Sequence, residues 1–241
     1  MVIHRVGLVD STQEIAHEFA ASGAEAGTAV VAEQQRLGRG TRGRVWSSGP
    51  GGLWLSVILR PSAPPALEGL SIRVGLAVAA TLDPILRPSR RIQLKWPNDL
   101  FAADRKLGGI LCEVRWTGDR PGWVVVGIGI NVANRIDAEF VPGAVRLADL
   151  GGPSDPKAVE TSVRDAVVAA GIRPGPLSPD ELAAFSSRNW LEGRRIAAPV
   201  AGVARGLRPD GRLVVRRDDG TEEAVLGPIA VADLAQTPRS Y

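Results

Sequence analysis

The chain has 241 residues, 44% hydrophobic and 23% charged, with a net charge of +3 and a pI of about 9.6. That composition fits one large globular domain or a medium one plus a small one, and its basicity is too slight to argue for nucleic acid by itself. A single cysteine, Cys112, and two histidines, His4 and His17, exclude an internal disulfide framework and a cysteine-based zinc site. The N-terminus shows no basic stretch leading into an apolar core, and no apolar run reaches about 18 residues, so a soluble cytoplasmic protein with no membrane association is expected. Lysine occurs only at positions 95, 106 and 157, against 26 arginines. In such a chain, a lysine inside a motif is a selective choice.

In chain order, Val6–Val9 reads as a short strand. Ser11 with Glu14 three residues later fits a capping box, and Ile15 and Phe19 follow at helical spacing. The hydroxyls of Ser11 and Thr12 either cap that helix or, with Gln13, offer its exposed N-terminus to a polar ligand. Thr28–Ala32 is an apolar run of strand type. It leads into Gln35-Arg36-Leu37-Gly38-Arg39-Gly40-Thr41-Arg42-Gly43-Arg44-Val45-Trp46, where four arginines and three glycines fall within nine residues.

Glycine allows positive φ and close backbone approach, and arginine offers a fork of donors for carboxylate or phosphate. The segment is therefore suited to wrapping a compact anion. It spells G-x-G-x-x-G, but Gly49-Pro50-Gly51-Gly52 stops any helix and no acidic residue lies about 20 positions on, so a dinucleotide fingerprint is not expected. It lacks G-K-[ST] as well. A disordered RNA-binding arginine–glycine tail does not fit its internal, strand-flanked position. A merely solvated charged loop is the plain alternative. Mutual repulsion of Arg36, Arg39, Arg42 and Arg44 predicts that the empty loop is mobile.

Leu53–Leu59 is strand-like, Pro61–Pro65 a turn, and Leu67–Leu86 one amphipathic helix. Ile92–Trp96 ends at Pro97, which delivers Asn98 and Asp99 at a strand end, where sheet proteins bind ligands; an Asn-Asp turn is also common punctuation. After a polar turn at Ala102–Arg105, Lys106–Val114 reads as a strand. Gly108 and Gly109 within it suggest a bulge or close approach, and Cys112 reads as a buried, inert thiol. Trp123–Val132 is the strongest strand. Its alternate glycines, Gly127 and Gly129, clear one face for something bulky before it ends at Asn131. Residues 134–153 are irregular. Ser154–Ala170 and Pro179–Trp190 read as helices. Short strands from Gly193 onward, separated by Pro209-Asp210-Gly211 and Asp218-Asp219-Gly220, predict a small β-barrel. The expected division is residues 1–191 and 192–241.

Five segments in order resemble the biotin protein ligases: Asp10-Ser11-Thr12-Gln13; Gln35 with Gly38–Trp46; Lys95-Trp96-Pro97-Asn98-Asp99; Lys106-Leu107-Gly108-Gly109-Ile110-Leu111; and Gly127-Ile128-Gly129-Ile130-Asn131. The resemblance implies an α+β fold, a mixed-sheet catalytic domain of the class II synthetase-like biotin/lipoate ligase type, followed by an SH3-like C-terminal β-barrel. It implies a monofunctional enzyme without a DNA-binding helix-turn-helix, hence no specific DNA binding, and a monomer or weak homodimer.

The implied reaction joins biotin to ATP as biotinyl-5′-AMP, with Mg²⁺, then transfers biotin to a lysine of a biotin carboxyl carrier protein domain. The resemblance places Ser11, Thr12, Gln13, Gln35, Gly38, Arg39, Gly40, Thr41 and Lys106 around biotin and the adenylate. It puts Trp46, Asn98 and Asn131 on the nucleotide side. Arg39, Arg42, Arg44 and Lys106 would neutralise phosphate charge. Asp99 would orient the incoming lysine, take its proton or help hold Mg²⁺. The biotin ring would lie in a slot cleared by Gly108, Gly109 and Gly129. Thr41 stands where the family usually has arginine. Lipoate ligases share the adenylating logic, and an inactive biotin- or RNA-binding module is the alternative from another class.

Overall fold

The computed structural model describes residues 1–61, 67–136, 143–171, 173 and 175–232, with backbone alone for residues 67 and 68. A seven-stranded sheet carries the N-terminal part. Its strands are β1 (Ile3–Val9), β2 (Ala29–Gln35), β3 (Leu53–Leu59), β4 (Gln93–Lys95), β5 (Asp99–Ala102), β6 (Arg105–Thr117) and β7 (Arg120–Ile130). They lie in the order β1-β2-β3-β7-β6-β5-β4. Only β1 and β2 run parallel. The sheet is therefore mixed, as expected.

Every residue of β3 is buried, because both faces of this central strand are covered. Helix α1 (Thr12–Ala21) packs Ala16 and Ala20 on Val30, Ile58 and Val125 on one face. Helices α2 (Leu67–Leu82) and α3 (Lys157–Gly171) close the other face over Leu55, Val57, Val126 and Ile128. Because strand side chains alternate, this second face takes the even-numbered residues of β7 and leaves Gly127 and Gly129 on the α1 side.

Several boundaries differ from expectation. α2 ends at Leu82, and Asp83–Ile85 form a 3₁₀ turn, because Pro84 cannot continue an α-helix. α3 begins at Lys157, whose amide is capped by Asp155 Oδ1 at 3.0 Å. Helix α4 (Pro179–Ser186) stops short of Trp190; Ser178 and Glu181 form its capping box. At α1, Ser11 Oγ accepts from Gln13 N at 3.2 Å and no reciprocal Glu14 bond completes a box. The expected turn at Pro61–Pro65 falls largely outside the described residues.

The C-terminal part is a five-stranded antiparallel sheet: β8 (Arg195–Ala198), β9 (Gly202–Leu207), β10 (Leu213–Arg216), β11 (Glu222–Val225) and β12 (Ala230–Val231). Its order, β11-β10-β9-β8-β12, leaves two edge strands among the described residues, so the expected barrel is an open sheet here. It abuts the N-terminal part: Trp96 Nε1 donates to Gly211 O at 2.8 Å, and Leu177 N donates to Pro209 O at 2.7 Å. No helix of the described residues is long and apolar enough to cross a membrane.

Candidate active site

Across the α1 face of the sheet run Lys95, Asp99, Gly109, Gly129 and Trp54, each paired in register with the next, and the two glycines leave a patch of floor without side chains. Gly127 lies one pleat further along. A Cβ at Gly127 would come within 2.7 Å of Gln13 Oε1, and one at Gly129 within 2.7 Å of Trp46 Nε1. Gly109 faces the same indole: a Cβ there would lie 3.3 Å from its Cζ3. Gly108 does not belong to this slot. It points to the opposite face, where a Cβ would collide with the Gly129 carbonyl and meet Ile130.

A β-bulge brings Lys106 to the floor. Leu100 pairs with Gly108 but Phe101 pairs with Lys106, so Leu107 is an extra residue in β6. Strict alternation would put Lys106 and Gly109 on opposite faces; the extra residue puts them on the same one. Lys106 Nζ lies 2.7 Å from Asp99 Oδ1 and 5.1 Å from the Trp46 ring centre. Asp99 is the first residue of β5, which lies between the strand end expected at Asn98-Asp99 and the turn expected at Ala102–Arg105. Lys95 stands beside it with its ammonium over Phe101 and Trp190, at 5.1 and 5.2 Å. Burial lowers the Lys95 pKa, against the opposing pull of Asp99.

One wall is a buried polar ladder. Thr12 N and Oγ1 donate to Gln35 Oε1 at 2.8 and 3.1 Å. The Thr12 and Ser56 hydroxyls are 2.8 Å apart, and Ser56 Oγ donates to Gln13 Oε1 at 3.0 Å. Gln35 Nε2 donates to Ser48 Oγ at 2.8 Å. Ser56 and Ser48 escaped the sequence reading, although Ser56 is the one polar residue in the apolar run of β3. Ser11 acts here as the helix cap.

The arginine segment is a hairpin laid against this wall. Gln35 bridges Ser48, Arg39 bridges Val45, and Trp46 N donates to Gly38 O at 2.7 Å. A Cβ at Gly38 would collide with Ser48 Oγ and the Trp46 carbonyl; only glycine allows the strands to cross so closely. Gly40 N donates to Arg44 O, and Arg42 takes a left-handed φ of 61° at the tip. Self-repulsion is relieved at two positions: Arg36 pairs with Asp10 at 2.7 Å and Arg39 with Glu113 at 3.2 Å. Thr41 Oγ1 accepts from Arg44 Nη2 at 3.0 Å, which fixes that guanidinium beside the tip.

Trp46 fills the slot that the resemblance assigns to biotin. Its ring rests on Gly109 and Gly129 under Lys106, with Nε1 buried and unbonded among the described residues. Asn98 and Asn131 have internal partners: Asn98 Nδ2 donates to Ile110 O at 2.7 Å, and Asn131 Oδ1 accepts from Asn134 at 3.1 Å.

A glycine-floored cleft rimmed by a lysine, an arginine hairpin and a buried amide–hydroxyl ladder can hold a polar uncharged head and, beside it, a cluster of anionic oxygens. The chain belongs to the Biotin/lipoate A/B protein ligase family, whose profile matches residues 6–131. Among its relatives is the biotin--[acetyl-CoA-carboxylase] ligase of Mycobacterium tuberculosis, 35% identical over 206 residues, spanning 80% of this chain and 75% of that protein. The bifunctional ligase/repressor BirA of Bacillus spizizenii is 31% identical over 236 residues, spanning 90% of this chain and 70% of that one. The fold is similar to the biotin protein ligase of Aquifex aeolicus in complex with biotin and ATP, with a TM-score of 0.80 and 28% identity over 95% of this chain and 97% of that one.

Proposed function

We propose that this protein is a biotin protein ligase that activates biotin with ATP and transfers it to a lysine of a biotin carboxyl carrier protein domain. The observation that carries this reading is the meeting of Lys106, Asp99, the arginine hairpin and the Thr12–Gln35–Ser56 ladder on one glycine-floored face, in a chain related to biotin ligases along most of its length.

In the first step a carboxylate oxygen of biotin bonds to the α-phosphorus of ATP, and the bond to pyrophosphate breaks. Two anions must meet, so charge neutralisation is the main demand. Lys106, Arg39, Arg42 and Arg44 supply it, and the Gln13–Thr12–Gln35 ladder holds the uncharged head. In the second step the carrier amine bonds to the acyl carbon, AMP leaves with the electron pair, and the amine proton is lost. Asp99, one strand from the floor, orients that amine. Among the described residues no group of three or more His, Cys, Asp or Glu stands together, and on this reading Mg²⁺ would come with the ATP phosphates. Residues 1–191 would form the catalytic unit and 192–241 the smaller one.

Biotin-dependent ATP–pyrophosphate exchange, followed by labelling of a carrier domain, tests the reading. Exchange driven by lipoate and not by biotin would move the assignment to a lipoate ligase. Calorimetric binding of biotin with no exchange would make the protein a binding module.

A further inference from the structure

Leading to the arginine hairpin is a polar relay whose Trp123, His17 and Glu113 lie outside all five sequence motifs. Trp123 Nε1 donates to His17 Nδ1 at 2.9 Å. An indole nitrogen can only donate, so Nδ1 must accept and the proton of the neutral imidazole sits on Nε2. His17 Nε2 therefore donates to Glu113 Oε2 at 3.2 Å. The other carboxylate oxygen, Oε1, faces Arg39 Nη2 at 3.2 Å. Glu113 is held below the ordinary glutamate range, first by the His17 bond and then by the Arg39 charge, against partial burial. The relay starts in well-packed surroundings, since His17 is buried in α1 and Trp123 packs against the α1 core. It ends on an arginine of the hairpin.

We infer that Glu113, oriented by His17 and Trp123, is a positioning residue that fixes Arg39 for the incoming anion. Arg39 has a second acidic neighbour, Glu14, but at 3.8 Å and on an exposed side chain. Glu113 is nearer, less exposed and itself oriented. One terminal nitrogen of Arg39 meets the Glu113 carboxylate, and a guanidinium has further N–H groups to offer a ligand. A guanidinium already held in place loses less conformational freedom on binding than a free one, so the relay acts on binding more than on the chemical step. The inference rests on the ligase reading only in that the anion belongs to biotin or its adenylate.

The test is biotin-dependent pyrophosphate exchange by the full chain. Glu113→Gln keeps the shape and removes the charge; it should raise KM for biotin about tenfold while kcat changes less than about threefold. Glu113→Asp, which retains the charge, should recover most of the loss. Trp123→Phe frees the His17 tautomer and should give a smaller rise in KM, which keeps the idea testable if Glu113→Gln does not fold. Glu14→Gln should match the wild type. Unchanged KM in Glu113→Gln, or an equal loss in Glu113→Gln and Glu113→Asp with lowered melting temperatures in both, would overturn the inference. Absence of exchange in the wild type would instead sink the ligase reading.

Discussion

Lys106 Nζ and Asp99 Oδ1 are 2.7 Å apart across a β-bulge. The pair is mostly buried, with the two side chains 25% and 20% exposed, and it puts the ammonium over the Trp46 ring, at the edge of the glycine floor. Lys106→Gln should leave the melting temperature within a few degrees and lower adenylate formation by two or more orders of magnitude. That matches about 2–4 kcal/mol for the loss of one preorganised donor. Stopped or steady-state pyrophosphate exchange reads it, and near-normal exchange would remove Lys106 from the mechanism.

Trp46 sits where a ligand is expected, with a buried N–H that has no acceptor among the described residues. An unsatisfied buried donor costs about 1–3 kcal/mol. Trp46→Phe keeps a ring on Gly109 and Gly129 and removes the donor. The ligand-free protein should gain about 1 kcal/mol of stability, and biotinyl-adenylate should bind more weakly because a more stable occupant must leave. Chemical denaturation and a binding titration check both. Lower stability with unchanged affinity would show that the indole does not compete for the slot.

The sequence made the chemistry of this face readable, because glycine, arginine and lysine were placed where few other residues serve. Gly127 and Gly129 announced a cleared surface, and Arg36–Arg44 a cluster of positive charge laid beside it. Three things were hidden. The bulge at Leu107 leaves no signal in an apolar run, so the shared face of Lys106 and Gly109 could not be read from alternation, and Gly108 was wrongly counted into the slot. The pairing of Arg39 with Glu113 joins residues 74 positions apart in sequence; a lone Glu in an apolar strand hints at a partner but not at which one. Strand β5 was lost because Asn98-Asp99 reads as turn chemistry, whereas its pairing with Gly108 and Gly109 decides the matter.

The Arg73–Glu181 pair ties α2 to α4. It is nearly buried, at 2.8 Å, and Arg73 also donates to the carbonyls of Arg173, Gly175 and Pro176. Glu181→Ala leaves that guanidinium without its counter-charge and breaks the capping box with Ser178, so a loss of about 3–4 kcal/mol is expected. Burial opposes ionisation of Glu181, yet the hydrogen bonds from Arg73 and Ser178 prevail and its pKa is lowered from 4.5. A carboxyl depressed in the folded state stabilises above its unfolded value, and that contribution is lost as pH falls below 4.5 through the folded value. Urea melts at pH 7 and pH 3 should therefore show a smaller gap between wild type and Glu181→Ala at the lower pH. An unchanged gap would assign the mutant's loss to packing and capping.

Among the described residues the arginine hairpin is only partly neutralised. Arg36 and Arg39 have carboxylate partners, whereas Arg44 is held by the uncharged Thr41 and Arg42 stands at an exposed tip with positive φ. Val45 beside them is 72% exposed. The base of the hairpin is thus tied down, and its tip keeps uncompensated positive charge that an acyl-adenylate with pyrophosphate would supply with partners. Each arginine bond to phosphate contributes about 1.5–3 kcal/mol, against about 1–2 kcal/mol per residue for ordering the backbone. The existing cross-hairpin bonds shorten the stretch left to order to about Gly40–Val45, and two or three such bonds offset part of that cost, with packing of Val45 and Trp46 over the ligand contributing the rest. Closure of that tip would shield a reactive acyl-phosphate from water. Trypsin should cut the ligand-free protein after Arg42 or Arg44 before Arg39, whose side chain is engaged, and all three sites should become slow with biotin and Mg-ATP. Equal cleavage with and without ligands, under conditions where bound adenylate is measured directly, would mean that the tip does not close over the product.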